Sequence, residues 1–300
     1  MDYKRLRQYI PVVIFAVCIS LFNNLFVYVD AANSETAGLK GLTISPIKSQ
    51  FEISPGTSRT GVLSVTNSTN ELMEINFSAE EFRVTNQNYD YAFTSESDVA
   101  KWIKFDNSEI TLSSGQSSEV GYLVGVPLSA EPGGRYISIF ASTESNSLSG
   151  IKSKQRIGSL LYVTVLGDVS RLGNLISLSS PWLVFEGGEW SASLQNTGTT
   201  HYVSRYNVSI VNLISGSVVS NSTGDAMILP GTVRLVTDVL PSLNWPGLYK
   251  VIYEIGLGDT PATYETRYVL YLPPVATVSA VVVITILSVT ILRRKKSKKI

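Results

Sequence analysis

The sequence predicts an all-β protein in which two β-sandwich domains lie in tandem between hydrophobic end segments. Three observations support this fold class. Short runs of β-rich, alternating residues recur about every ten residues between 42 and 272, separated by Gly, Pro, Asn and Ser. Helical periodicity is almost absent from the same region. An uncharged apolar stretch lies near each end of the 300-residue chain.

The composition excludes several functional classes. Hydrophobic residues make up 44% of the chain and charged residues 16%, with 24 Lys and Arg against 24 Asp and Glu. This apolar fraction argues against a disordered chain, and the absence of excess positive charge argues against nucleic-acid binding. One Cys and one His leave no basis for an internal disulfide or a Cys-rich zinc site. We expect no cofactor, no metal site and no enzymatic activity.

The N-terminal segment is typical of a secretory signal. Lys4, Arg5 and Arg7 precede an uncharged run at 10–29, and Val29 and Ala31 have the small-residue spacing that a signal peptidase accepts. We therefore predict a signal peptide over 1–31. An uncleaved anchor helix is the alternative.

The first set of predicted strands gives a sandwich over 42–167. Residues 61–67 place Val62, Ser64 and Thr66 on one face and Leu63 and Val65 on the other, which is the two-residue repeat of a half-buried strand. A turn at 67–70 leads to a similar run at 73–79. Further runs lie at 101–105, 109–112, 119–126, 136–142 and 159–167. No crossover helix separates them, so the pattern favours an antiparallel, immunoglobulin-like sandwich.

A second set of strands predicts another sandwich over 176–272, after a linker at 168–175. Its runs lie at 182–186, 189–196, 206–212, 232–240, 248–256 and 265–272. The turn after Asn67 resembles the turn after Asn196, and Gly115 corresponds to Gly231. We interpret the two sets as diverged copies of one domain. Domains of roughly 120 residues can fold on core burial alone.

The C-terminal segment predicts a membrane-spanning helix. Residues 275–292 carry no charge and as a helix would extend about 27 Å, close to the thickness of a bilayer's hydrocarbon core. A basic tail at 293–300 follows, with Arg293, Arg294, Lys295, Lys296, Lys298 and Lys299. The positive-inside rule then predicts a transmembrane helix over 274–292 and a cytoplasmic tail. These features predict a single-pass cell-membrane protein with an extracellular middle region, anchored in the lipid bilayer.

Part of the first predicted sandwich resembles a known family. The stretches TISPIKSQFEISPGTSRTGVLSVTNSTNE and TLSSGQSSEVGYLVGVP, with the later PGGRYISIF, are similar to the WxL-interacting cell-surface proteins of Gram-positive bacteria. The resemblance covers 42–166. It implies a peptidoglycan-binding sandwich, a second sandwich that binds a WxL-type surface protein, and a C-terminal membrane anchor. The longer P-x-N-Q…Y-F-D-L signature of that family is absent after Pro46.

Candidate binding residues are aromatic or cationic and lie near predicted turns. Tyr89 and Tyr91, Trp102, and the Arg135-Tyr136 pair offer ring and guanidinium contacts to a glycan or a protein. The alternative is that Trp102 belongs to the core and that Arg135 only ends a turn. His201 is expected to be an exposed polar residue, and no G-x-S-x-G motif supports a Ser-His-Asp site.

These features together predict a non-catalytic bacterial surface protein. Its tandem sandwiches would bind or scaffold cell-envelope components, either a surface protein or peptidoglycan, through sheet faces, edges or loops. The alternatives are an adhesin-type spacer without a specific ligand and, less favoured, an envelope hydrolase.

Overall fold

Strands dominate the described part of the chain, as the alternating runs predict. The computed structural model describes residues 41–146, 152–274, 279 and 283–291. The first ten strands are β1 (Leu42–Ser45), β2 (Lys48–Ile53), β3 (Ser58–Asn67), β4 (Met73–Val84), β5 (Tyr91–Thr94), β6 (Ile103–Phe105), β7 (Glu109–Leu112), β8 (Ser117–Gly125), β9 (Gly133–Asn146) and β10 (Lys152–Val165). The all-β fold class is confirmed.

Strands β1–β10 form two facing sheets. One has the order β1-β3-β8-β6, and the other has the order β2-β10-β9-β4-β5 with β7 paired to β4. Leu63 and Val65 of β3 share one buried core with Ile137 and Ile139 of β9, whereas Val62 is exposed. The alternation in β3 therefore puts its apolar residues between the sheets, where each full burial contributes about 1.5–3 kcal/mol.

The chain changes sheets at Pro46. Strand β1 pairs antiparallel with β3, and after the cis Ser45–Pro46 peptide bond β2 pairs parallel with β10 in the opposite sheet. A second parallel pair joins two strands of the other sandwich (below). Both parallel pairs depart from the purely antiparallel arrangement that the sequence favours.

The remaining strands form a second pair of sheets. They are β11 (Gly173–Ser179), β12 (Leu183–Val184), β13 (Gly188–Asn196), β14 (Tyr202–Asn212), β15 (Val218–Ile228), β16 (Val233–Leu240), β17 (Gly247–Leu257) and β18 (Thr260–Tyr271). Their orders are β11-β13-β16 and β12-β18-β17-β14-β15, with β12 parallel to β18. Trp190 is buried between these sheets, with ring centroids 5.2 Å from Tyr206 and 5.0 Å from Tyr253.

The segment before β11 is hydrogen bonded to the second pair of sheets. Ser170 O accepts from Thr199 N, Leu172 O from Thr197 N, and Arg171 O from Asp259 N. Gly173 already pairs with Asn196 in the sheet. The stretch that the sequence marks as a linker is thus held in place by backbone bonds along most of its length.

The membrane-spanning helix is a wrong prediction. Among the residues of the C-terminal stretch that the structure describes, helix is assigned at 274, 279 and 283–291. In the described part of the chain, no helix is both long and apolar enough to cross a bilayer. This finding contradicts the predicted single-pass localisation, and it gives no support to the lipid bilayer as a partner through a C-terminal helix. The signal at 1–31 and the basic tail at 293–300 lie outside the described residues.

Candidate functional site

An aromatic cluster joins the two sandwiches, which belong to one compact unit, Gly38–Leu272. Its buried members are Phe82, Tyr89, Tyr136, Tyr162, Met227 and Leu229. The ring of Phe82 meets that of Tyr162 edge-on at 5.7 Å, and Tyr136 meets Tyr162 at 5.8 Å. Edge-to-face pairs of this kind add about 0.5–1.5 kcal/mol beyond area burial. These residues cover part of the outer face of the six-stranded sheet, the one that contains β4, β9 and β10. That part of the face is apolar, and the second sandwich packs against it.

Tyr89 fastens the β4–β5 loop to the second sandwich. It adopts a left-handed backbone conformation (φ 65°), which is uncommon for a residue other than glycine. Its hydroxyl accepts a hydrogen bond from Leu229 N at 2.8 Å and lies 2.7 Å from Thr232 Oγ1. The Arg234 guanidinium lies over its ring at 4.4 Å. Burial raises the pKa of Tyr89, so the phenol stays neutral.

His201 is buried in the same contact, and its predicted exposure is wrong. Its ring centroid lies 5.6 Å from that of Tyr136 and 5.3 Å from that of Tyr162, both on the first sandwich. Burial, and then the nearby Arg171 charge, lower the pKa of His201 to about 4. The local sequence predicts only a turn, and the rings of Tyr136 and Tyr162 that lie against His201 come from strands far away in the chain. Its described hydrogen-bond neighbours are the Tyr136 and Thr200 hydroxyls, not a Ser and a carboxylate.

The five predicted binding residues do not converge on one surface. Tyr89, Tyr91 and Tyr136 lie in or against the aromatic cluster. Trp102 is half-buried against the core of the first sandwich, between the two sheets that β1–β10 form. The Arg135 side chain donates to Gly134 O at 2.9 Å and to Glu131 O at 3.1 Å. Ligand binding by these five residues stays a prediction.

The hairpin of β9 and β10 leaves one strand edge open. Strand β10 pairs with β9 from Lys152 to Val165, but β2 covers its other edge only from Leu160 onward. No strand of the described residues pairs with that edge between Lys152 and Ser159. A run of about eight residues spans about 26 Å. Alternating backbone groups of β10 therefore face outward there without a strand partner.

A stack of side chains holds the base of this hairpin. Arg156 of β10 forms two hydrogen bonds with Glu80 of β4, at 2.8 and 2.9 Å. Its guanidinium lies 3.3 Å above the Phe140 ring centroid. Phe140 in turn lies against Gly158, where an added Cβ would be 2.8 Å from a ring carbon. Paired, stacked arginine geometry is more rigid than a simple surface ion pair.

Two adjoining cavities lie between β2 and the second sandwich. The larger, about 780 Å³, is lined by Lys48, Arg205 and Glu254 among others. The smaller, about 450 Å³, is lined by Glu52, Arg171 and His201 among others. Glu52 and Arg171 form an ion pair at 2.9 Å. Within the described residues, no group of three or more His, Cys, Asp or Glu side chains is placed to hold a metal ion.

Sequence reasoning missed the open edge and the interdomain contact. The β10 segment 152–158 lies before the predicted run at 159–167 and mixes polar, charged and glycine residues. The only local signal was Tyr and Phe at alternate positions of the outer sheet face, such as Tyr136 and Phe140, which an isolated sandwich would leave in water.

No known protein family and no curated protein matches the sequence. Solved structures match at low similarity. The class 5 fimbriae chaperone CfaA is 11% identical with a TM-score of 0.39, covering 78% of this chain and 100% of that chain. The CsuC–CsuE chaperone–tip subunit complex of Acinetobacter baumannii is 12% identical with a TM-score of 0.36, covering 77% of this chain and 99% of that chain. A family 123 glycoside hydrolase of Clostridium perfringens is 12% identical with a TM-score of 0.31, covering 44% of this chain and 28% of that chain. At these identities and TM-scores, no function is taken from the similarity.

Proposed function

We propose that the chain is a non-catalytic binding protein that takes up an extended segment of a protein partner at the open edge of β10. The observation that carries the proposal is the uncovered edge from Lys152 to Ser159. Unpaired strand edges are templates for strand addition, in which backbone hydrogen bonds give affinity and alternate side chains give specificity.

The backbone direction at this edge follows from the neighbouring pairing. Leu160 N donates to Ile47 O and Leu166 N donates to Ile53 O, both across the β2 side. Because N–H direction alternates along a strand, the amides of Gly158, Arg156 and Lys154 point to the same side. A partner segment can therefore continue the ladder that β2 begins.

The side chains near this edge indicate an apolar partner face. Ile157 is half-buried and packs against the first core. Leu42 and Ile44 of β1 belong to that core, and β1 is the end strand of the facing sheet. A segment with apolar residues at alternate positions would place them against these side chains. A WxL-type surface protein, the partner implied by the sequence resemblance, is our first full-length candidate.

The test uses capped ten-residue peptides that alternate Val or Ile with Thr, titrated against the protein and followed by fluorescence anisotropy. Lys154→Pro removes one outward amide but keeps the bonds to β9, and Lys154→Ala is the matched control. We expect the Pro variant to bind at least about 10-fold more weakly than the Ala variant, because one hydrogen bond and the close approach are lost.

A peptide with N-methyl groups along one edge lacks the backbone N–H donors that strand addition needs, so it should show no measurable binding. Equal affinities for the Pro and Ala variants, or no binding of any alternating peptide, would contradict strand addition and leave the spacer interpretation. The full-length WxL-type candidate is then measured against the same two variants.

A further inference from the structure

The chain's single histidine lies where the two sandwiches meet. His201 precedes β14 and is 6% exposed. Tyr136 of β9 and Tyr162 of β10 cover its ring from the first sandwich, and the Tyr136 hydroxyl lies 3.4 Å from Nδ1. Any separation of the sandwiches would bring this imidazole into water.

The surroundings of His201 are unfavourable for a second positive charge. His201 lines the smaller cavity together with Thr164 of β10. Arg171 and Arg205 of the second sandwich line the same cavity. The carboxylate among the residues that line this cavity is Glu52 of β2, and it is already paired with Arg171 at 2.9 Å. Protonation would therefore place a cation in a desolvated site close to the Arg171 guanidinium.

We infer that proton uptake by His201 acts as a switch that loosens the contact between the two sandwiches in acid. In the closed arrangement the ring is neutral. In an opened arrangement it is hydrated and binds a proton as an ordinary histidine does, so acid favours opening.

The pKa of His201 sets the direction of the pH effect on the contact and the pH range in which it occurs. Burial first, then Arg171, lower the pKa from 6.5 to about 4 in the closed form. The contribution of neutral His201 to the contact is therefore complete above pH 6.5 and is lost as the pH falls toward 4. Between pH 7 and pH 5, linkage gives an increase in the opening equilibrium constant on the order of 20-fold.

Three amides across the contact report its opening directly. Gly134 N donates to Thr199 O, Leu235 N to Gln87 O, and Leu229 N to the Tyr89 hydroxyl. Each bond joins one sandwich to the other, so hydrogen exchange at these amides requires separation. Core amides such as those of Val251 and Ile137 serve as the reference for global unfolding.

The experiment measures hydrogen exchange at pH 7 and pH 5 on the whole chain, corrected for intrinsic exchange rates. We expect the opening constant of the three contact amides to rise by the predicted factor while the core amides change less. In His201→Phe, which keeps an aromatic ring but cannot take up a proton, the rise should disappear. His201→Gln is a second uncharged variant.

Equal pH dependence in the wild type and both variants would overturn the inference, as would core amides that follow the contact amides in step. A separate NMR titration of the single imidazole gives the reciprocal measurement. The midpoint of the His201 titration should lie well below pH 6.5 in the wild type. It should move toward 6.5 in Tyr89→Ala, a variant that weakens the contact without changing His201 itself. An ordinary midpoint in the wild type would also overturn it.

Discussion

Asn67 and Asn196 each close the end of a strand with a fully buried amide. Asn196 Nδ2 donates to Thr200 O at 2.9 Å and to Ile228 O at 2.8 Å, and its Oδ1 accepts from Gly198 N at 2.8 Å. Asn67 makes the equivalent bonds in the first sandwich, to Glu71 O and Leu112 O, and accepts from Thr69 N. One side chain thus satisfies backbone groups that water cannot reach.

Replacing Asn196 by Ala should lower the free energy of unfolding by roughly 2–4 kcal/mol, because buried carbonyls and an amide lose their partners. Urea denaturation at pH 7 measures the change. Asn221→Ala is the control: this residue is exposed and has one hydrogen bond at 3.4 Å, so we expect a change below about 0.5 kcal/mol. Equal losses in both variants would contradict the role of the buried amide.

Residue type alone does not reveal burial in this chain. Trp190 is 1% exposed, whereas Trp182 and Trp245 are 72% and 78% exposed. Trp190 lies in a nine-residue strand, and its ring packs against Tyr206 and Tyr253 of the facing sheet. Trp182 precedes β12, a strand of only two residues. The difference comes from the sheet that covers each ring, which the local sequence does not specify.

The β9–β10 hairpin depends on a glycine at a close approach. Gly158→Ala would place a methyl group 2.8 Å from both the Phe140 ring and Ser138 Oγ, which displaces the ring from beneath Arg156. We expect a loss of about 1–3 kcal/mol, as for other overpacked sites.

Thermal and urea unfolding of Gly158→Ala should be compared with Gly125→Ala. Gly125 also lies in a strand, but the nearest atom to its added methyl is 3.9 Å away. A Gly125→Ala effect as large as that of Gly158→Ala would show that strand glycine itself, rather than the Phe140 contact, determines the loss.

The sequence predicts individual strands well where apolar residues alternate. The runs at 61–67 and 189–196 lie within β3 and β13, because Leu63 and Leu194 mark the buried face. Strand β15 was missed, since most of its sequence, VVSNSTGDAMI, is polar and its burial comes only at Ala226–Ile228, near the first sandwich. The apolar stretch at 275–292 has the length of a spanning helix, but the described helical residues do not form one.

At the scale of the whole molecule, the contact between sandwiches is built from groups far apart in sequence. Leu229 meets Tyr89 across 140 residues, and His201 meets Tyr136 across 65. No local pattern encodes such pairs, so the sequence could suggest the aromatic residues but not their common position. This contact also fixes where the open edge of β10 lies relative to the second sandwich.

We expect this contact to make the two sandwiches unfold together at pH 7. Tyr89→Ala removes the acceptor for Leu229 N, the contact with Thr232 and the ring beneath Arg234, so about 2–4 kcal/mol of coupling should be lost. Calorimetry should then show two transitions in place of one. Tyr264→Ala removes a tyrosine that is 64% exposed on β18 and should leave a single transition. Two transitions in the wild type, or one in Tyr89→Ala with unchanged width, would mean that the sandwiches are not coupled through this residue.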